Sequence, residues 1–211
     1  MTDPDSAAGS WRDYYAKTGA RPPRDTLIYA LDRFDEENIA PERKLAADLG
    51  CGNGRDTVEI IRRGWQVLAI DAEQDALDGL RERREVREHL QNDEQLETAT
   101  ARFETVELPE RMLVNSSFAL PLVEPADFPD LWDRILSSLM PGGRVSCQLY
   151  GDRDSWVGRP GMTFFTRDGV EAMLNTLDVE YFREEEDDST TPRGTEKHWH
   201  IFHIVARMPE V

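Results

Sequence analysis

Residues 44–54 read Lys44-Leu45-Ala46-Ala47-Asp48-Leu49-Gly50-Cys51-Gly52-Asn53-Gly54. A short apolar run ends in an acid and breaks into a turn holding three glycines. Arg55-Asp56-Thr57-Val58-Glu59-Ile60-Ile61 follows, with its apolar residues at helical spacing. The order is strand, tight turn, helix. Glycine at 50, 52 and 54 lets the turn adopt positive φ and leaves no Cβ between the backbone and a ligand lying on it. The helix behind the turn presents free N–H groups at its start.

A second apolar run, Trp65 to Ile70, ends in Asp71, about one βαβ unit further on. Asp71 is therefore expected at the tip of the neighbouring strand, where a carboxylate can accept hydrogen bonds from a ribose. The dinucleotide fingerprint G-x-G-x-x-G/A, counted from Gly50, would need a small residue where Arg55 stands, and a bulky side chain argues against the close helix–strand packing of that fingerprint. An NAD-linked oxidoreductase is disfavoured on this ground.

The pattern actually present, Asp-x-Gly-x-Gly-x-Gly with Asp71 one strand on, resembles motif I of the class I S-adenosylmethionine (SAM) methyltransferases. Asp48, Gly50, Gly52, Gly54 and Asp71 match it position by position, and Leu139-Met140-Pro141-Gly142-Gly143-Arg144 resembles the turn before that family's fifth strand. Within the superfamily, the motif, the short length and the Asn115–Pro121 loop look like the small-molecule enzymes of the tellurite-resistance type. The resemblance implies an α/β, Rossmann-like, doubly wound seven-stranded sheet, mostly parallel with the last strand antiparallel, in the order 3-2-1-4-5-7-6. It implies SAM as cofactor and S-adenosylhomocysteine (SAH) as product. The implied cofactor set is Asp48, Gly50, Cys51, Gly52, Asn53, Gly54, Asp71 and Ala72, with Phe103 and Glu104 beside the adenine and Asn115 and Ser116 at the methionine end. Amino-group DNA methyltransferases carry Asn/Asp-Pro-Pro-Tyr/Phe after strand four. Here the residues are Asn115-Ser116-Ser117-Phe118, without either proline, which weighs against methylation of a nucleobase amine.

Composition bounds the alternatives. The 211 residues suffice for one sizeable core, so residues 1–211 are expected to form a single domain: an N-terminal cap or lid segment and helix over 1–40, and a SAM-binding core over 41–211. The net charge of −17 repels nucleic acid. No run reaches the length of a membrane span and no targeting pattern opens the chain, so a cytoplasmic protein without membrane or nucleic-acid partners is expected. The two cysteines, Cys51 and Cys147, suggest neither a disulfide framework nor a metal site. Cys51 reads as a small side chain filling the turn.

In chain order, Trp11, Tyr14 and Tyr15 crowd into five residues and either cap the core or fold over the cofactor beside the acceptor. Residues 26–37 read as an amphipathic helix. Residues 72 to about 96 read as one long charged helix, with a break near Asn92-Asp93. The third strand is read at the start of 101–108, and the fourth strand with its exit loop over 112–121. A helix covers 125–139 and a fifth strand 145–150. The loop that leaves it, with Trp156, is a candidate acceptor wall. Thr166 caps a helix over 167–175. Residues 178–185 and 197–207 read as a closing hairpin joined by the acidic loop 184–196. His198 and His200 share one face of its second strand and His203 takes the other. His198 and His200 are candidates for a proton acceptor or acceptor contact, against a metal reading that requires the rings to converge and against ordinary strand packing.

The chemistry implied is in-line methyl transfer to a small-molecule acceptor. The lack of a compelling base away from the hairpin favours a soft sulfur, selenium or tellurium nucleophile. The rivals are a non-catalytic SAM-binding sensor or partner protein, and a protein or RNA methyltransferase.

Overall fold

The computed structural model describes residues 21–191 and 194–210. Trp11, Tyr14 and Tyr15 lie outside the described residues. The first described helix, α1 (Asp25–Glu37), buries Thr26, Leu27, Ala30, Leu31 and Phe34 along one stripe. It stops at Asn38, which takes the left-handed conformation that asparagine tolerates. Each large apolar side chain so buried contributes roughly 1.5–3 kcal/mol.

The sheet is then laid down from the middle outward. β1 (Leu45–Leu49), α2 (Arg55–Arg62) and β2 (Gln66–Asp71) form the expected unit, with β1 and β2 parallel and Leu49 opposite Ile70. β3 (Leu96–Thr100), β4 (Arg111–Ser116), β5 (Leu139–Tyr150), β6 (Asp178–Thr190) and β7 (Glu196–Arg207) complete the order β3-β2-β1-β4-β5-β7-β6. β7 runs antiparallel to both neighbours and the other pairs are parallel. This is the Rossmann-like, doubly wound sheet that the glycine turn implied. Two apolar layers cover it. One joins Phe128, Leu131 and Ile135 of α5 (Phe128–Ser138) to Phe202 and Ile204 of β7. The other joins α1, α2 and α3 (Gln74–Glu82) to Ala46, Leu113 and Val205.

Several boundaries differ from the sequence reading. The single helix over 72–96 is two, α3 and α4 (Arg84–His89), and the break is at extended Arg83 rather than at Asn92-Asp93. The third strand accordingly begins at Leu96, not Ala101. The Pro141-Gly142-Gly143 turn is a bulge inside β5, which pairs with β4 at Leu139 and again from Arg144. The acidic segment 184–190 is not a loop: it pairs residue for residue with β7, Glu186 opposite His200 and Asp188 opposite His198.

Arg144 ties these layers together. Its guanidinium is fully buried and reaches Glu37 at the end of α1 and Glu180 on β6. It also lies 4.4 Å from the centroid of the Phe34 ring. A buried arginine needs this many acceptors to offset its desolvation. Among the described residues, no helix is long and apolar enough to cross a membrane.

Candidate active site

The glycine turn leaves β1 with Gly50, Gly52 and Gly54 all in the left-handed region, at φ 67°, 54° and 85°. Their reasons differ. A Cβ on Gly50 would lie 2.3 Å from Ala119 Cβ and 3.3 Å from Phe103 Cζ, so its bareness brings the backbone to the floor of a cleft. A Cβ on Gly54 would lie 2.1 Å from Leu80 Cδ1, so Gly54 serves the packing of α3.

The turn is fixed to β2 from two sides. Ile70 O accepts from the N–H groups of Gly50 and Cys51 at 2.8 and 3.1 Å. Asp71 Oδ2 accepts from Gly52 N at 2.8 Å and Oδ1 from Glu73 N at 2.9 Å. Burial raises the Asp71 carboxyl above its ordinary pKa, and the backbone donors at Glu73, Gly52 and Ala72 pull it back.

Below the turn lies a buried polar knot. Asp48 accepts from Thr57 Oγ1 at 2.5 Å and from Asn115 Nδ2 at 2.9 Å. Burial, and then the neighbouring Asp56 charge, push its carboxyl up to about 7. Asp56 in turn accepts from Arg24 N and from Arg55. Ser116 donates to Leu49 O. Cys51 packs against the α1–α3 layer, and burial raises its thiol well above the ordinary value.

A cleft of ≈ 260 Å³ opens at the C-terminal ends of β1, β2, β3 and β4. Of the positions the sequence singled out, Gly50, Asp71, Ala72, Phe103 and Glu104 line it. Asp48, Cys51, Gly52, Asn53, Gly54, Asn115 and Ser116 are not part of its lining; several of them build the turn and the knot beneath it. Sequence reasoning missed Glu73, Arg102 and the Ser117–Ala119 segment, which also line the cleft. Phe118 carries φ 60°, rare for a bulky residue. The position right after the β4 tip was the available signal.

The hairpin histidines fall differently from expectation. His198 stands half-buried at the surface, bonded through Nδ1 to Asp188 and through Nε2 to Glu186, and these acids raise its pKa. His200 is fully buried against Gly151. Its Nδ1 accepts from Arg153 N at 3.1 Å, which leaves Nε2 to donate to Glu184 at 2.9 Å. Both ring nitrogens are thus engaged, Nδ1 with the loop after β5 and Nε2 with β6. The histidine that approaches the cleft is His203, edge-on to Phe118 with ring centroids 6.3 Å apart. Burial, then the Arg183 charge, push its pKa down to about 4, so it is neutral at pH 7. Trp156 joins Tyr150 and Trp199 around the ammonium of Lys197, which is paired with Asp154. Among the described residues no cluster of metal-ligating side chains occurs.

The glycine-floored cleft with a carboxylate at one wall and Phe103 close to the floor fits a flat, ribose-bearing ligand. Comparisons with known proteins bear on the fold. Residues 46–143 match a family model described as a methyltransferase domain. No curated protein matches the chain. Among solved structures, TehB from Haemophilus influenzae is similar with a TM-score of 0.72, at 16% identity, over 94% of this chain and 67% of that one. A SAM-dependent methyltransferase from Methanosarcina mazei is similar with a TM-score of 0.60, at 17% identity, over 84% and 98%. The magnesium protoporphyrin IX methyltransferase of Synechocystis PCC 6803, solved with bound SAM, is similar with a TM-score of 0.66, at 12% identity, over 97% and 93%. At these identities the likeness is one of fold.

Proposed function

We propose that this chain is a class I SAM-dependent methyltransferase that methylates a small-molecule acceptor; the matched domain and the fold support the reading. The observation that carries the reading is the joining of Gly50, Asp71 and Phe103 around one cleft at the C-terminal ends of the central strands. SAM, when bound, supplies an activated methyl group on a sulfonium. The chain's own residues then supply position and a dry setting.

Asp71 would accept from the ribose hydroxyls through the lone pairs its backbone donors leave over. Bare Gly50 would let the ligand lie on the turn, with Phe103 against the adenine ring and Glu104 within reach of its amino group. The acids at Asp56 and Asp71 make the neighbourhood of the turn acceptable to a positive sulfonium, where a pyrophosphate would be repelled. The acceptor would enter from the Phe118 side, over β4 and β5.

A soft sulfur, selenium or tellurium nucleophile suits this side best. His203 is neutral, but its Nε2 already meets Arg183 at 3.3 Å and Glu185 at 3.2 Å. A nucleophile that is soft or arrives deprotonated does not call on it.

Calorimetric titration with SAM, SAH and NAD tests the reading, followed by SAH release with small thiols and chalcogen oxyanions. Binding of both adenosyl ligands and none of NAD is expected. A preference for NAD, or binding of SAM with no turnover across small acceptors, would overturn the cofactor or the acceptor half respectively.

A further inference from the structure

The face of the sheet that α1 covers carries an unusual row at its C-terminal end. Gln148 on β5 stands opposite His203 on β7, and His203 stands opposite Arg183 on β6. On the other side, Ser116 pairs with Cys147, so Ser117 follows beside Gln148. Ser117 just past β4, Gln148 on β5, His203 on β7 and half-exposed Arg183 on edge strand β6 therefore form one polar line, where a sheet face beside a helix is ordinarily apolar.

Gln148 is 1% exposed. Its Nε2 donates to Thr26 Oγ1 of α1 at 2.7 Å. Its Oε1, and Ser117 Oγ beside it, are buried without a partner among the described residues. One row deeper, Asn115 Oδ1 and Ser146 Oγ, on paired residues, also lack one among the described residues. A buried carbonyl oxygen left unpaired costs roughly 1–3 kcal/mol, so a concentration of such atoms at one place calls for a ligand.

The line also has a cover and a doorway. Ser117 and Phe118 belong to the cleft lining. Phe118, held at φ 60°, lies under the Arg24 guanidinium at 4.3 Å from its ring centroid. Strain of this kind persists where the surroundings impose it, and it gathers at sites that act. The Phe118 ring, part of the cleft lining, also meets His203, the residue paired with Gln148, and so lies between the two.

We propose that Gln148 is a specificity-determining residue for the methyl acceptor: its Oε1, with Ser117 beside it, receives an N–H or O–H group that the acceptor carries next to its nucleophilic atom. The inference rests on the methyltransferase reading and deepens it. The chemistry follows from the inventory. Gln148 Oε1 can only accept, and the neighbouring hydroxyls can do either. A small neutral molecule with an amide, alcohol or amine donor satisfies the line. A molecule with acceptors alone leaves Gln148 unpaired and is disfavoured, so among the soft acceptors a thiol carrying a neighbouring N–H or O–H should turn over ahead of a chalcogen oxyanion.

The test uses the full chain saturated with SAH and reads saturation-transfer NMR of three small probes: acetamide and methanol as donors, and acetone as an acceptor-only control. Transfer to acetamide and methanol but not to acetone is expected. Gln148→Leu should weaken the donor signals by about fivefold, the worth of one hydrogen bond, with SAH affinity unchanged. Phe118→Gly, which removes both the cover and the strain, should strengthen them. If Gln148→Leu fails to fold, Ser117→Ala and Phe118→Gly carry the test. Equal transfer to acetone, or donor signals indifferent to both substitutions, would overturn the proposal and assign the line to buried water. Failure of SAH itself to bind the wild type would instead remove the methyltransferase reading, so the two failures are told apart.

Discussion

Asp71 holds the glycine turn in shape: its Oδ2 accepts the N–H of Gly52 at 2.8 Å, 19 residues earlier in the chain. The carboxylate that would meet the ribose is thus also the carboxylate that fixes the floor. Asp71→Ala removes both roles and leaves the N–H groups of Gly52 and Glu73 unpaired. Calorimetry should show SAM and SAH weakened alike, on the order of a hundredfold, from the loss of charge-assisted bonds. Asp71→Asn keeps one acceptor and should fall between. An Asp71→Ala protein that binds both ligands like the wild type would refute the assignment.

Asp48 makes stability depend on pH. In the unfolded chain its carboxyl ionises from about pH 4. In the folded chain burial and Asp56 keep the proton on to about 7. Between these values the folded state binds more protons, so this group's contribution favours folding at the acid end and is lost as pH rises toward 7. Asp48→Asn cannot ionise. Urea unfolding of the variant, compared with the wild type at about pH 5 and about pH 8, should show a gain that is larger at the higher pH. An equal difference at both values would mean that Asp48 is ionised in the fold throughout.

Gly54 separates a steric demand from a backbone demand. Gly54→Ala should destabilise by about 1–3 kcal/mol, through the Leu80 clash and the positive φ together. Adding Leu80→Ala removes the clash and leaves the φ. If Gly54→Ala costs as much in the Leu80→Ala background as in the wild type, by thermal unfolding, the close approach described for α3 is not what requires glycine there.

The Lys197–Asp154 pair is buried on both sides, with 4% and 2% exposure. Lys197→Met strands a carboxylate among Tyr150, Trp156 and Trp199 and should cost about 3–5 kcal/mol. Asp154 Oδ1 also accepts from Trp156 N and Oδ2 from His200 N. The partner change should therefore be Asp154→Asn, which keeps an acceptor. The double variant is expected to recover most of the loss in urea unfolding. Additive losses would show that the two residues do not act as a pair.

The parts of the fold that could be read in advance are those that the local backbone dictates. Asp48, Gly50 and Asp71 stand where the strand–turn–helix reading placed them, because glycine conformations and a strand end are written within a few residues. The unread parts depend on partners far away in sequence. Residues 184–188 are Glu-Glu-Glu-Asp-Asp, a composition that strands avoid. They form β6 because β7 offers His198 and His200 across from them, and Arg153 reaches Glu184 and Glu186. Arg83 ends α3 with no glycine or proline to announce it. His198 and His200 drew notice as a cluster, yet it is His203 that approaches Phe118, a relation that only the pairing of β5 with β7 creates. Gln148 belongs to no motif, and its isolation is visible only once Thr26 has taken its amide nitrogen.

Arg144 has a consequence for how the protein is made. Its two acids, Glu37 and Glu180, lie 107 residues before it and 36 after it. α1 cannot dock fully until the last hairpin has been synthesised, so it waits as an unplaced amphipathic segment while β1 to β4 assemble. Local pairs form before distant ones, so the cofactor cleft should mature first and the acceptor side last. Pulse-labelled hydrogen exchange during refolding should then show β1, β2 and β4 protected before α1 and β7. Simultaneous protection would argue against this order. A nascent chain that already holds its cofactor's half but not its acceptor's would be able to bind before it can react.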